Sequence, residues 1–140
     1  QSAGPAPSGG EMSCSSPLLH DGLIYCLSAA GVLSVVDAET SRRVYSQQLE
    51  MTPLFHFNAI GCTPSVALGG KHIYLQDNQG TTVVIEPGRT FTLVAVNRID
   101  TMMQHAFPLT TIERFEGTPT FDGTRMYIRG EANVYCIGEK

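Results

Sequence analysis

Three segments of this 140-residue chain repeat one another, and that recurrence limits its possible folds more than any other feature. The first runs from Pro17 to Asp37, the second from Pro64 to Glu86, the third from Pro119 to Ile137. Each opens on a proline, passes a turn (Asp21-Gly22, Gly69-Gly70, Asp122-Gly123) and reaches a tyrosine (Tyr25, Tyr74, Tyr127). Six residues after each tyrosine stands another turn former: Gly31, Gly80 or Asn133. The tyrosines lie 49 and 53 residues apart, a period proper to propellers and other repeat arrays.

The chemistry of one unit is legible. A proline opens a short strand, where a missing N–H is tolerated. The glycines accept positive φ without steric cost and so favour hairpins. Leu23–Ser28, His72–Gln76 and Arg125–Arg129 then read as strands, rich in apolar, β-branched or aromatic residues. Asn133 substitutes for glycine at the second turn because asparagine tolerates the left-handed region. Val32–Val36, Thr81–Ile85 and Val134–Ile137 form third strands, and Arg43–Leu49 and Phe91–Asn97 can supply fourth ones.

The pattern predicts an all-β chain. It reads as a partial β-propeller of about three antiparallel blades, over residues 14–50, 62–98 and 117–138, with a three-stranded last blade. The first blade is expected to leave a sheet face uncovered, including Leu27 or its neighbours, and Val134–Ile137 to be a bare edge. Only Asp100–Phe107 has room for a short helix, ended by Pro108. Residues 1–13, rich in Gly, Pro, Ser and Ala, read as a flexible linker or tail. They carry no basic n-region or apolar h-region, so no signal peptide is expected among them.

Composition narrows the function. An apolar fraction of 42% can support a core. A net charge of -4 and a pI near 5.5 argue against nucleic acid, which needs a basic face. No apolar run approaches the roughly 20 residues of a membrane-spanning helix. Charged residues make up 16%, so the surface relies on uncharged polar side chains or is partly covered. Cys14, Cys26, Cys62 and Cys136 contain no CxxC, and their spacing assigns no disulfide pairing. Cys26 and Cys136 lie in apolar strand-like runs, where a buried free thiol is expected to act as a small hydrophobe.

Residues 15–25 (Ser-Ser-Pro-Leu-Leu-His-Asp-Gly-Leu-Ile-Tyr), with 31–45 and 117–138, resemble the C-terminal blades of the PQQ-like, or quinoprotein-type, β-propeller repeat family. The resemblance covers residues 14–138. One departure is Tyr45, where the family's fourth strand often holds tryptophan. The resemblance implies a periplasmic or extracellular protein of roughly eight blades. It also implies that the strand completing the last blade comes from the N-terminal end of the whole propeller.

Two functional classes follow. Part of a PQQ-dependent quinoprotein dehydrogenase would call for an aromatic platform, a calcium held by Glu, Asn and Asp, and a vicinal cysteine pair over the quinone. This chain has no tryptophan and no adjacent cysteines, so no cofactor, metal or catalytic residue is expected. His20, His56, His72 and His105 are isolated, and HExxH and GxSxG are absent. Gly69-Gly70-Lys71 reads as a hairpin rather than a P-loop, and Asp77-Asn78-Gln79-Gly80 as a turn rather than a calcium loop. Asp37 and Glu39 read as turn residues, not as an acid/base pair.

The favoured class is a non-catalytic binding or scaffold module, probing a protein partner or joined by further copies or blades that complete the propeller. Its candidate contacts lie in the two long connections, Glu50–Gly61 and Ile99–Gly117: Phe55, His56, Phe57, Met102, Met103, His105 and Phe107. Exposed Phe and Met are adaptable contact residues.

Overall fold

Strand follows strand in chain order, joined mostly by tight turns. The computed structural model describes residues 15–53, 55–56, 59–99, 102–104 and 110–138. The first sheet is the meander β1 (Leu18–His20), β2 (Leu23–Leu27), β3 (Val32–Asp37) and β4 (Arg43–Gln48). A two-stranded ladder follows, β5 (Phe55–His56) with β6 (Ala59–Ile60). The second sheet comprises β7 (Ala67–Gly69), β8 (His72–Gln76), β9 (Thr81–Glu86) and β10 (Thr92–Arg98). Another ladder, β11 (Met102–Gln104) with β12 (Thr110–Ile112), leads to the three-stranded sheet β13 (Thr120–Asp122), β14 (Arg125–Arg129) and β15 (Val134–Gly138). Every pairing is antiparallel.

The three tyrosines hold one place in the repeat. Tyr25 pairs with Leu18 and Val35, Tyr74 with Ala67 and Val84, and Tyr127 with Thr120 and Cys136. The first hairpin turns at Asp21 (φ 47°) and Gly22 (φ 71°). Two successive positive φ values match the right-handed twist of the flanking strands.

Strand alternation decides what packs on what. Leu23, Tyr25 and Leu27 of β2, with Leu33 and Val35 of β3, meet Ile73, Leu75, Val83 and Ile85 of the second sheet in one core. The opposite face of the second sheet meets the third. Tyr74 lies against Phe121, with ring centroids 4.8 Å apart, and a Cβ on Gly69 would come within 2.5 Å of the Phe121 ring. Hydrogen bonds tie the starts of the three sheets in sequence: Ser16 N donates to Ser65 Oγ at 3.0 Å, and Ser65 N to Thr118 Oγ1 at 3.0 Å. A further tie crosses the first two sheets, where Gly88 N donates to the Tyr25 hydroxyl at 2.8 Å.

Four expectations need correction. Asn133 does not take the left-handed conformation: among the described non-glycine residues positive φ falls at Asp21 and Ser41, and Asn133 instead holds its turn by donating its N–H and its Nδ2 to Glu113. Asp100–Phe107 is not a helix where it is described: Met102–Gln104 is a strand, held by pairing to the β-branched Thr110, Thr111 and Ile112. Leu27 is not on an uncovered face but fully buried in the core between the first two sheets. The outward face of the first sheet instead carries Leu19, 66% exposed, and the half-buried Ile24 and Cys26. Cys136 is exposed rather than buried, because its side of edge strand β15 points away from the second sheet. Residues 1–13 lie outside the described residues.

Candidate functional site

A side-chain oxygen secures the turn between the second and third strands of every sheet. In the first, Ser28 Oγ accepts from Val32 N at 3.1 Å. In the second, the buried Asp77 accepts from Gln79 N at 2.9 Å and Thr81 N at 2.8 Å through Oδ1, and from Thr52 N at 3.0 Å through Oδ2. This turn also brings Gly80 (φ +86°) so close to Phe115 that a Cβ would stand 2.8 Å from its ring. The calcium-like letters at 77–80 thus serve a carboxylate-capped turn.

In the third sheet the equivalent position is Gly130, which has no side chain to offer. The acceptor comes instead from Glu113, on the segment after β12. Its carboxylate is buried and accepts from Ala132 N at 2.8 Å, Asn133 N at 2.9 Å, Asn133 Nδ2 at 3.2 Å and the Tyr135 hydroxyl. Burial alone would push the carboxyl up, but the hydrogen bonds from Tyr135, Ala132 and Asn133 outweigh it and hold Glu113 below the usual carboxylate value. These four donors account for both carboxylate oxygens, so Glu113 acts as a structural acceptor.

Between the second and third sheets lies a cleft of about 920 Å³. Its floor includes Tyr74, Val84, Val94, Ala95, Met126 and Ile137. Val94 and Ile137 are 45% and 41% exposed. Lys71 and Arg125 line the end where β8 and β14 begin, and no carboxylate lines the cleft among the described residues. The cleft has a clear origin in the repeat. Tyr45 pairs with Val35, which pairs with Tyr25; Ala95 pairs with Val84, which pairs with Tyr74. Tyr45 and Ala95 are therefore equivalent. Tyr45 fills its place against Phe91, with ring centroids 6.4 Å apart, and burial pushes its hydroxyl up to about 12. Ala95 leaves that volume open.

The sequence-derived contact residues fall into separate places. Phe55 and His56 are on β5, opposite Ile60 and Ala59. Met102 and Met103 are on β11, opposite Ile112 and Thr111. Phe57, His105 and Phe107 lie outside the described residues. Each group has its own two-stranded ladder in its own inter-sheet connection. Among the described residues, no group of three or more His, Cys, Asp or Glu is placed to hold a metal ion.

No family model matches the sequence, and no curated protein does. A solved structure does: the chain is similar to BamB from Moraxella catarrhalis, with a TM-score of 0.64 at 12% identity. The fold is a partial β-propeller. The likeness covers 92% of this chain and 34% of BamB, so the chain spans about a third of that protein's length. The three sheets are its blades, and the cleft separates the second blade from the third.

The cleft and the Glu113 cap both escaped the sequence reading. A comparison of the repeats position by position carries their signal. Gly130 stands where Ser28 and Asp77 stand, and Ala95 stands where Tyr45 stands.

Proposed function

We propose that this chain is a non-catalytic β-propeller module, part of a larger propeller of PQQ-like repeats, that mediates protein–protein interaction in the periplasm or outside the cell. In this reading residues 1–13 are a linker and the blades run over about 14–50, 62–98 and 117–138. One observation carries it: apolar side chains remain uncovered at both ends of the stack, with Leu19 66% exposed on the first blade and Val134 68% exposed on the third. Blades of a propeller bury each sheet face on a neighbour, and contiguous exposed apolar surface marks an interaction site. The share of BamB that the chain spans fits the same reading. Phe55, His56, Phe57, Met102, Met103, His105 and Phe107 are the proposed partner contacts on the inter-blade connections.

Site-specific photo-crosslinking in the intact protein tests it. A crosslinker at Leu19 or Val134 should capture other propeller blades, and one at Phe55 or Met102 a separate protein, while one at the exposed turn residue Glu39 captures neither. Silence at all four positions, or tightly held quinone absorbance in the purified protein, overturns the proposal.

A further inference from the structure

We infer that the two short ladders act together: both stand on one end of the propeller and receive a single protein partner, whose contact surface is apolar at its centre and flanked by lysine or arginine. The inference rests on the reading of the protein as an interaction module and names the partner's chemistry.

The turns show where the ladders are rooted. Residues 28–31, 77–80 and 130–133 join the second and third strands of the three blades and mark one end of the stack. Hydrogen bonds fasten both ladders to this end. Before β5, Leu49 N donates to Gly31 O at 3.0 Å and Thr52 N to Asp77 Oδ2 at 3.0 Å; after β6, Cys62 N donates to Ala29 O at 2.9 Å. Before β11, Ile99 N donates to Gly80 O at 3.1 Å; after β12, Phe115 N donates to Asn78 O at 3.0 Å, and Glu113 accepts from Ala132 N and Asn133 N. The turn at 77–80 thus holds a stem of each ladder, which makes the two ladders neighbours on one rim.

The ladders name the centre of the partner's surface. Residues 51–61 and 101–112 contain no Asp, Glu, Lys or Arg. Each ladder pairs two apolar residues, Phe55 with Ile60 and Met102 with Ile112. A two-stranded ladder is too small to bury such residues by itself, so an apolar surface laid across both completes them. Charge names the flanks. Among the described residues of this end, Glu50, Asp77, Glu113, Glu116 and Glu131 outnumber Arg98, Arg114 and Arg129, whereas at the opposite end carboxylates and cations are equal in number. Basic residues around the partner's apolar centre complement that excess, and an anionic membrane surface is repelled by it.

The test places a photo-crosslinking residue at Phe55 in one full-length protein and at Met102 in another, in the cells that make it. Both should capture the same chain, at places that peptide mapping puts side by side on its surface. That chain, purified and titrated against the protein, should bind at least about tenfold more weakly to Glu50→Lys with Glu116→Lys, and to Met102→Ser alone. Rising salt should weaken the wild-type complex. Glu39→Lys, equally exposed but at the opposite end, should leave the affinity unchanged. Circular dichroism checks that Met102→Ser folds; if it does not, the charge reversal at the exposed Glu50 and Glu116 decides. Different chains at the two positions, a second copy of this chain, lipid, silence at either position, or an affinity indifferent to the charge reversal overturns the inference. Crosslinks from Leu19 and Val134 to other blades do not depend on the ladders, so their persistence beside any of these results would remove this inference and leave the module reading standing.

Discussion

Glu113 does for the third blade what Ser28 and Asp77 do for the others, and it does so from outside the turn. Its removal should be costly, because hydrogen-bond donors would be left inside the protein. Glu113→Gln keeps the shape but presents N–H₂ to two of the four donors, whichever way the amide is turned, and should lower stability by about 1–3 kcal/mol in urea denaturation. The pH dependence follows in sign. The folded carboxyl titrates below its unfolded value, so in the interval between them the unfolded chain binds more protons. The stabilisation is complete above the ordinary glutamate range near about 4.3 and is lost as pH falls through the folded value. The wild-type advantage over Glu113→Gln should shrink over that acid window; a constant difference would contradict it. Asp37 titrates in the same acid region, held down to about 2 by the Thr40 N–H and the Arg89 guanidinium, but it is common to both proteins and cancels. Gly130→Ala should also destabilise, since its Cβ would stand 2.3 Å from Glu113 Oε1, by about 1–3 kcal/mol as overpacking. Combined with Glu113→Ala, which clears the space, the two costs should be markedly less than additive.

At the scale of strands and blades, coverage is uneven and so should be local stability. β8 and β9 lie between neighbours on both faces, and Ile73, Leu75, Val83 and Ile85 are almost wholly buried. β15 is an edge with Val134 and Ile137 exposed. Native-state hydrogen exchange should find β8 and β9 amides the slowest and β15 amides at least about tenfold faster; uniform protection would show that the blades open only together. This hierarchy was partly legible in the sequence, because hairpins announce themselves locally. The turns Asp21-Gly22 and Gly69-Gly70 and the apolar runs beside them need no distant partner to be recognised. Met102–Gln104 has no such local mark. It becomes a strand only opposite Thr110–Ile112, which is why a helix looked admissible there. Glu113 and the cleft were hidden for the same reason: Glu113 reaches a turn about 20 residues away, and the equivalence of Ala95 with Tyr45 passes through strand pairings with register shifts.

For the molecule as a whole, the decisive property is that the stack has two ends. One presents Leu19 with the half-buried Ile24 and Cys26; the other presents Val134 and the exposed Cys136 beside Tyr127. The blade junctions inside the stack show what such faces become when covered: the core from Leu23 to Ile85, the Tyr25 hydroxyl accepting from Gly88, and Tyr74 on Phe121. Burial of apolar area contributes roughly 25 cal/mol per Å², so two open faces give up stabilisation that a neighbour can restore. The ends differ in composition, so one end binding the other is a heterologous contact, which repeats until a ring closes or a filament grows. The 15.1 kDa chain, purified alone, should therefore associate with rising concentration in light scattering unless further blades cover its ends. Leu19→Glu with Val134→Glu should return it to the monomer without lowering its melting temperature, because both residues are exposed. Either substitution alone should also hold the chain as a monomer, since the contact needs one free end of each kind, whereas a mixture of the two single variants should pair into dimers and stop there. A wild-type chain that stays monomeric and well dispersed at high concentration would show that the open blade faces are tolerated in water, and the association argued from them would fall.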